Sequence, residues 1–416
     1  MKLKSALSLA AGIGAICAAV PANAQGMSSA GQSQTAQQPA PQVTPSRGAL
    51  RAIVELQTAV NANNAAEIPA KLAAAQAVAR TKEDRFIIAQ LQLKAAMAAN
   101  DNSAIAAAID ATAASGYLDA AKTADLYAGL GGTWSKAQDW ERAAAAYERA
   151  ASLNPSNPEI LVLLGETRNS QGRTAEAVAL LQRAIAAVGA TGARADESWF
   201  KRALALSYNA RLPAAVQISR DWVRAYPTTE NWRESLRIYR NITQPDEGVL
   251  LDVLRLQRAV GALEDNAEIY NHAYLAFNER FPGEAKLVLD EAFASGKASR
   301  SERRFQELHG EASTGAGRSQ AYLAEGARDA LADPQARIAV RSGDAHYGFG
   351  DHAKAAEMYR AALGKTGADS NLINFRLGAA LARAGDKAGA TAAFNAVTGP
   401  RAELAKYWLL YLDTRG

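Results

Sequence analysis

The histidines and the cysteine are the side chains of this chain with the strongest preference for zinc, and the cysteine is also a candidate nucleophile. They are His272, His309, His346, His352 and Cys17. His346 and His352 are six residues apart with glycines between them, so the two do not share one face of a helix. A structural zinc site takes four protein ligands and a catalytic one takes three. Two neighbouring histidines are too few for either kind of site, so we predict structural histidines and no metal site.

One short motif has the chemistry of a phosphate-binding loop. Gly364-Lys365-Thr366 matches the end of that loop, in which backbone amides and a lysine bind phosphates. However, Tyr359 stands where the first glycine of the motif is required, and the segment follows a helical pattern instead of a strand. The G-x-S-x-G motif of serine hydrolases does not occur in the sequence. We therefore predict no bound cofactor, no catalytic residue and no enzymatic activity.

A row of arginines is the clearest charge pattern. Arg233, Arg237 and Arg240 are four and three residues apart, which aligns them along one face of a helix. They could form a stripe that binds an anion, such as an acidic protein, a polysaccharide or a lipid headgroup. They could equally form a solvated face on which acidic and basic side chains pair. The sequence leaves both interpretations open.

The N-terminal residues have the pattern of a cleaved secretory signal. Lys2 and Lys4 precede an apolar run over residues 6–20, and Ala22-Asn23-Ala24 forms an A-x-A cleavage site. The apolar run is shorter than the ~20 residues that a helix needs to span a bilayer. We therefore predict that residues 1–24 are a signal peptide and that the protein is periplasmic, with secretion from the cell as the alternative.

Cleavage would leave a mature chain that begins at Gln25 and has no transmembrane segment, because no later apolar stretch is long enough. It would remove the only cysteine and two lysines, so the formal charge would fall from +4 to +2. That small positive excess gives no reason to expect nucleic-acid binding. Residues 25–48 are rich in Gln, Ser, Pro and Thr, and they have too little apolar surface to offset the entropy of ordering. We predict a disordered linker there.

A spacing of 34 residues organises the part of the chain that follows. Leu130-Gly131 recurs as Leu164-Gly165, Ala143 as Ala177, and Ala150 as Ala184. Each unit has two amphipathic segments, with small residues where two helices would cross. A helix–turn–helix period of 34 residues is the pattern of tetratricopeptide repeats, and the sequence resembles that family. The resemblance implies an all-α, right-handed superhelical solenoid that holds another molecule.

Further units follow with less regular spacing. At an offset of 35, Gly343 matches Gly378, Gly350 matches Gly385, Ala355 matches Ala390, and Tyr359 matches Phe394. We predict about ten helix–turn–helix hairpins and a C-terminal capping helix, because the last face of a solenoid must be covered. The predicted segments are degenerate hairpins over 49–123, repeat units over 124–229, an irregular hairpin over 230–265, a repeat unit with a degenerate hairpin over 266–335, repeat units over 336–400 and the capping helix over 401–416.

Aromatic side chains supply the candidate binding surface. Tyr270, Tyr274 and Phe277 fall at i, i+4 and i+7 on the first helix of one unit. The resemblance implies that these places face the concave wall, and Tyr347 holds an equivalent place in a later unit. Exposed aromatic rings in a groove offer rigid contact area to a peptide or to sugar rings. The competing interpretation is that a neighbouring hairpin covers them as core.

Together with the export signal, the resemblance implies a non-enzymatic scaffold or adaptor of the bacterial cell envelope. Its partner would be a protein or peptide held in the concave groove. The alternative is a periplasmic component that binds or exports a polysaccharide, since similar repeat domains accompany exopolysaccharide exporters.

Overall fold

The computed structural model describes residues 43–414 of the chain. The chain divides into two compact units, with the boundary between Arg194 and Ala195. The predicted signal peptide and residues 25–42 of the predicted linker lie outside the described residues.

Helices account for almost all regular structure in the described residues. The first unit contains α1 (Leu50–Asn61), α2 (Ile68–Val78), α3 (Lys82–Ala98), α4 (Asn102–Ala114), α5 (Ala120–Lys136), α6 (Trp140–Leu153), α7 (Pro158–Ser170) and α8 (Thr174–Gly189). The second contains α9 (Glu197–Asn209), α10 (Ala214–Ala225), α11 (Thr229–Thr243), α12 (Glu247–Ala259), α13 (Asn266–Asn278), α14 (Pro282–Ala294), α15 (Arg303–Ala321), α16 (Leu323–Ala332), α17 (Ala336–Gly348), α18 (His352–Leu363), α19 (Ser370–Ala384), α20 (Lys387–Asn395), a short 3-10 helix (Gly399–Arg401) and α21 (Ala402–Thr414).

No strand occurs between residues 43 and 414, where a single isolated bridge joins Gln335 to Thr366. Helices that follow one another along the chain pack in pairs, most closely in α5–α6, α7–α8 and α17–α18. The predicted all-α architecture of helical hairpins is therefore confirmed. Among the helices of the described residues, none is long and apolar enough to cross a membrane.

Gly-Asp pairs form the turns of two hairpins in the second unit. Asp351 and Asp386 accept backbone hydrogen bonds at the starts of α18 and α20. The preceding residues, Gly350 and Gly385, have φ of 83° and 87°. Glycine adopts this left-handed conformation without the steric cost of a Cβ atom. Each Gly-Asp pair therefore ends one helix and starts the next, which explains the repeated glycine in the sequence.

A glycine also lets the two helices of a hairpin approach closely. A Cβ atom on Gly131 of α5 would lie 2.7 Å from the ring of Tyr147 on α6. The same relation joins Gly343 to Tyr359 and Gly378 to Phe394 in the second unit. Because the ring fills the space that a Cβ atom would need, the close approach of the two helices requires both the glycine and the ring. The 35-residue spacing repeats this pair from Gly343–Tyr359 to Gly378–Phe394. At Gly165, 34 residues after Gly131, the neighbouring side chains are Leu180 and Leu181 instead of a ring.

Helix α12 lies at the centre of the second unit. Residues 251–257 are all buried, and a helix buried on every face belongs to the interior. Val253 and Leu256 pack into the cluster formed with α17, α19 and α21. Leu251 and Leu254 pack into the cluster formed with α13 and α14. The segment predicted as an irregular hairpin therefore contains a core helix.

The C-terminal helix closes the second unit on itself. Helix α21 packs on α20 and also on α10. The hydroxyl of Tyr407 lies 2.8 Å from that of Ser219 and accepts a hydrogen bond from Ser235 at 3.1 Å. Trp408 is fully buried and stacks on Phe394 with ring centroids 5.7 Å apart. The capping helix therefore covers the last hairpin and joins it to the start of the unit.

Helices α15 and α16 do not pack as a hairpin. Helix α15 packs on α14 and α16 packs on α17, whereas α15 and α16 share few contacts. Helices α14 and α17 touch each other directly, and a Cβ atom on Gly283 would lie 2.8 Å from the ring of Phe349. The degenerate hairpin predicted at the end of 266–335 thus consists of two helices attached to different neighbours.

Candidate functional site

The aromatic residues predicted on α13 belong to a ladder of stacked groups. The rings of Tyr270 and Tyr274 stack with centroids 6.0 Å apart and planes 15° apart. Tyr270 meets the ring of Phe305 edge-on at 5.5 Å, and the Arg304 guanidinium lies over Tyr270 at 5.2 Å. Tyr274 is 45% exposed, whereas Tyr270 and Phe277 are half-buried against the core. The predicted patch is therefore partly core, and Tyr274 is its exposed member.

Tyr347, the fourth aromatic candidate, is part of the core. It is only 6% exposed, and its ring centroid lies 5.2 Å from the Arg255 guanidinium of α12. Burial raises the pKa of Tyr347 to about 12. Tyr347 is therefore not available at an open groove, because α12 occupies the space beside it.

The three arginines of α11 each have a carboxylate partner. Arg233 pairs with Glu264, Arg240 pairs with Glu268, and Arg237 binds Glu234 through two hydrogen bonds of 2.8 and 2.5 Å. An anionic ligand would have to compete with these carboxylates, which weakens the case for an anion-binding stripe. The pairs match the alternative interpretation, a solvated face with salt bridges. Anion binding by these arginines stays a prediction.

A chain of buried charges connects α12 to α13 and α14. Arg255 donates to Glu284 at 2.9 and 2.7 Å and to Asp252 at 3.1 Å, and His272 Nε2 lies 2.9 Å from Glu284. Burial alone would raise the pKa of Glu284, but Arg255 and His272 hold it well below its usual range. Burial lowers the pKa of His272. All four side chains are buried, so we assign this network to the packing of the core.

A second buried pair lies between α17 and α19. Arg376 forms an ion pair with Asp344, which also accepts a hydrogen bond of 2.7 Å from the Tyr359 hydroxyl. Burial raises the pKa of Asp344. Arg376 also lines an open groove on the surface of the unit, so this pair marks the point where core and groove meet.

The open groove, of about 330 Å³, runs beside α17 and α19. Its apolar lining includes Phe281, Val340, Leu372 and Ile373. Arg337 and Arg341 also line it; they are exposed and stand one turn apart on α17. Within residues 43–414 neither of them pairs with a carboxylate, and Arg337 bonds only to Gln335, at 3.3 Å. The groove therefore combines apolar surface with two guanidinium groups that are free to bind.

Two other side chains singled out in the sequence have structural partners. His309 Nε2 lies 2.8 Å from Asp290, and Lys365 of the phosphate-loop-like motif donates to the Leu331 carbonyl at 2.8 Å. In the part of the chain that the structure describes, no group of three or more His, Cys, Asp or Glu side chains is placed to hold a metal ion.

Comparison with protein families identifies the repeats. The tetratricopeptide-repeat model matches residues 135–190 and 340–404. The chain contains tetratricopeptide repeats in these two regions. Both matches overlap the regions in which the regular spacings and the glycine–ring crossings occur. Curated protein sequences give no significant match.

Two solved structures that are similar to this chain are complexes. The APC/C hetero-tetramer Cut9–Hcn1 matches with 12% identity and a TM-score of 0.21, over 89% of this chain and 91% of that chain. Naa15/Naa10 bound to HypK-THB matches with 14% identity and a TM-score of 0.25, over 89% of this chain and 58% of that chain. At these TM-scores, neither structure supports an inference about binding by this protein.

Sequence reasoning missed the two arginines of the groove. Arg337, Val340 and Arg341 follow an i, i+3, i+4 spacing, which predicts one helix face. That spacing resembles the one on α11, where the arginines are paired. Whether an arginine finds a carboxylate depends on which helices pack beside it, so the spacing alone could not single out this pair.

Proposed function

We propose that this protein is a non-enzymatic adaptor of the bacterial cell envelope that binds a segment of a partner protein in the groove beside α17 and α19. Tetratricopeptide repeats indicate a scaffold for protein–protein interaction in general. The composition of the groove supports the binding site, and the export pattern at the N-terminus supports the location.

The combination of apolar lining and unpaired charge carries the proposal. Val340 and Leu372 offer partly exposed apolar surface, whose burial contributes ~25 cal/mol per Å². Arg337 and Arg341 offer guanidinium groups, which bind carboxylates through two parallel hydrogen bonds. A partner segment with an apolar side chain beside acidic ones fits this arrangement.

Acidic groups on the same groove restrict which segments fit. Asp369 Oδ1 accepts hydrogen bonds from the amides of Asn371 and Leu372, both at 3.1 Å, so it is held at the start of α19. Glu279 lines the groove from the turn after α13. A basic side chain of the partner would pair with these carboxylates, whereas an acidic one beside them would be repelled. The groove therefore favours partner segments in which acidic and basic side chains follow one another in a defined order.

The export pattern supports a cell-envelope location. The positive start, the apolar run and Ala22-Asn23-Ala24 together match a secretory signal. N-terminal sequencing of the protein from a periplasmic fraction should begin at Gln25. Recovery of an intact Met1 in the membrane fraction would contradict export by cleavage.

A capture experiment tests the groove. Tagged mature protein, a double variant Arg337→Ser/Arg341→Ser and the control Arg318→Ser would be incubated with periplasmic extract, and bound proteins identified by mass spectrometry. Arg318 is exposed on α15 and lies outside the groove, so it controls for loss of surface charge. We expect a partner that is retained by the wild type and the control and is lost from the double variant.

Salt provides a second readout of the same contacts. Charge contacts at the surface are screened over ~8 Å at physiological ionic strength, so capture should decrease as salt rises. A partner retained equally by all three proteins would place the binding site elsewhere. Retention that does not depend on salt would exclude the arginines as its main contacts.

A further inference from the structure

We infer that the aromatic ladder of α13 and α15 is a platform for the pyranose rings of an uncharged glycan. The ladder consists of Tyr274, Tyr270, Phe305 and Arg304, in the contacts described above. None of these four residues lines the groove beside α17 and α19, so the two surfaces are distinct. The inference therefore goes beyond the proposed protein-binding function and can fail independently of it.

The exposed ring of the ladder is held in place before any ligand arrives. Tyr274 stacks on Tyr270, which is itself fixed by Phe305 and Arg304. Tyr322 is more exposed, at 69%, but no ring or cation stacks on it in the described residues. A ring that is already ordered loses less conformational entropy on binding, which favours affinity at Tyr274.

The exposed face of Tyr274 matches the apolar face of a sugar ring. The face of an aromatic ring carries partial negative charge, and the C–H groups on one side of a pyranose carry partial positive charge. Neither the Tyr270 nor the Tyr274 hydroxyl has a hydrogen-bond partner within residues 43–414. Both hydroxyls are therefore free to bond to sugar hydroxyls at the edge of the stack.

Planar polar groups beside the ladder supply hydrogen-bond donors and acceptors. Asn266 donates to Glu302 at 3.1 Å, and Arg304 bonds to Asn266 and, at 3.3 Å, to Glu302. Amide, carboxylate and guanidinium groups each present two polar atoms in one plane, which suits pairs of neighbouring hydroxyl groups. The charges of Arg304 and Glu302 cancel, so the site favours an uncharged glycan over a polyanion.

Direct titration tests this inference. Mature wild-type protein and three variants, Tyr274→Ala, Tyr274→Phe and Tyr322→Ala, would be titrated by calorimetry and NMR. The probes are hexasaccharides of β-1,4-linked glucose, β-1,4-linked N-acetylglucosamine and β-1,6-linked N-acetylglucosamine, a mannuronate hexasaccharide as charged control, and a proline-rich peptide as the competing ligand class. The melting temperature of each variant shows whether the fold is preserved.

We expect at least one uncharged hexasaccharide to bind the wild type more tightly than mannuronate or the peptide. Tyr274→Ala should weaken that binding by about 3- to 10-fold, the range for one lost aromatic contact. Tyr274→Phe should retain most of the affinity because it keeps the ring, and Tyr322→Ala should retain all of it.

Three results would overturn the inference. The first is the absence of binding of every uncharged probe at millimolar concentration. The second is equal weakening by Tyr274→Ala and Tyr322→Ala. The third is preferential binding of the peptide at Tyr274, which would assign the ladder to a protein partner.

Discussion

Two glycine-to-alanine substitutions on α5, two residues apart, should change stability in opposite directions. A Cβ atom on Gly129 would meet nothing within 4 Å, whereas one on Gly131 would lie 2.7 Å from the ring of Tyr147. Both glycines are in the interior of one helix, between Ala120 and Lys136. Comparing the two variants therefore separates the effect of helix propensity from the steric cost of the clash with the Tyr147 ring.

The magnitudes follow from that geometry. Alanine in place of a helical glycine stabilises by ~0.5–1 kcal/mol, and this gain applies at both positions. At Gly131 the Tyr147 ring must also move by roughly 1 Å to reach ordinary carbon–carbon contact of ~3.5–4.0 Å. Overpacking of this kind costs ~1–3 kcal/mol. We expect Gly129→Ala to stabilise the first unit and Gly131→Ala to destabilise it by ~0.5–2 kcal/mol.

Urea unfolding followed by circular dichroism measures both free energies. Because the gain in helix propensity is common to the two variants, their difference isolates the overpacking. A smaller side chain at the ring position, Tyr147→Leu, should remove most of the cost of Gly131→Ala. Equal effects of the two alanines would refute the assignment of Gly131 to a steric crossing, and so would an unchanged cost in the Tyr147→Leu background.

Three further predictions concern the second unit. Trp408→Ala should lower its free energy of unfolding by ~3–5 kcal/mol in urea titrations, because the ring is fully buried. Burial and nearby arginines lower the pKa of His352 from 6.5 to about 4. The unfolded chain therefore binds this proton first as the pH falls, so the stability is complete above pH 6.5 and decreases toward pH 4, by up to ~3 kcal/mol. Urea unfolding at neutral and acidic pH measures this loss, and His352→Gln should reduce the difference. Glu284→Gln should cost ~3–5 kcal/mol in the same assay at pH 7, because it takes a counter-charge from buried Arg255.

Features that depend on residues close together in sequence could be predicted. The Gly-Asp turns at Gly350 and Gly385, the crossing glycine Gly131 and the helical hairpins all follow from spacing and local chemistry. Each of these features depends on residues within one hairpin, which are close in sequence and therefore close in space. Spacing was therefore sufficient to obtain the all-α repeat architecture.

Features that depend on distant packing could not be predicted. Tyr347 has the spacing of a groove residue, yet the Arg255 guanidinium of α12 packs on its ring from 92 positions earlier in the chain. Arg233 has the spacing of a free stripe, yet its carboxylate partner is 31 residues away. Arg341 has similar spacing and no carboxylate partner among residues 43–414. Burial of Tyr347 and pairing of the arginines depend on contacts between helices that are distant in sequence. Local periodicity does not predict those contacts.

Closure by α21 has a consequence for how this protein can evolve. Tyr407 reaches Ser219 only because the intervening hairpins return the last helix to α10. In an open stack, duplication or loss of a hairpin changes the length and leaves the remaining interfaces intact. In the second unit the same event would carry α21 away from α10 and break the contact between Tyr407 and Ser219. Hairpin number is therefore free to drift in the first unit and is fixed in the second, so homologues of different length should differ before Ala195.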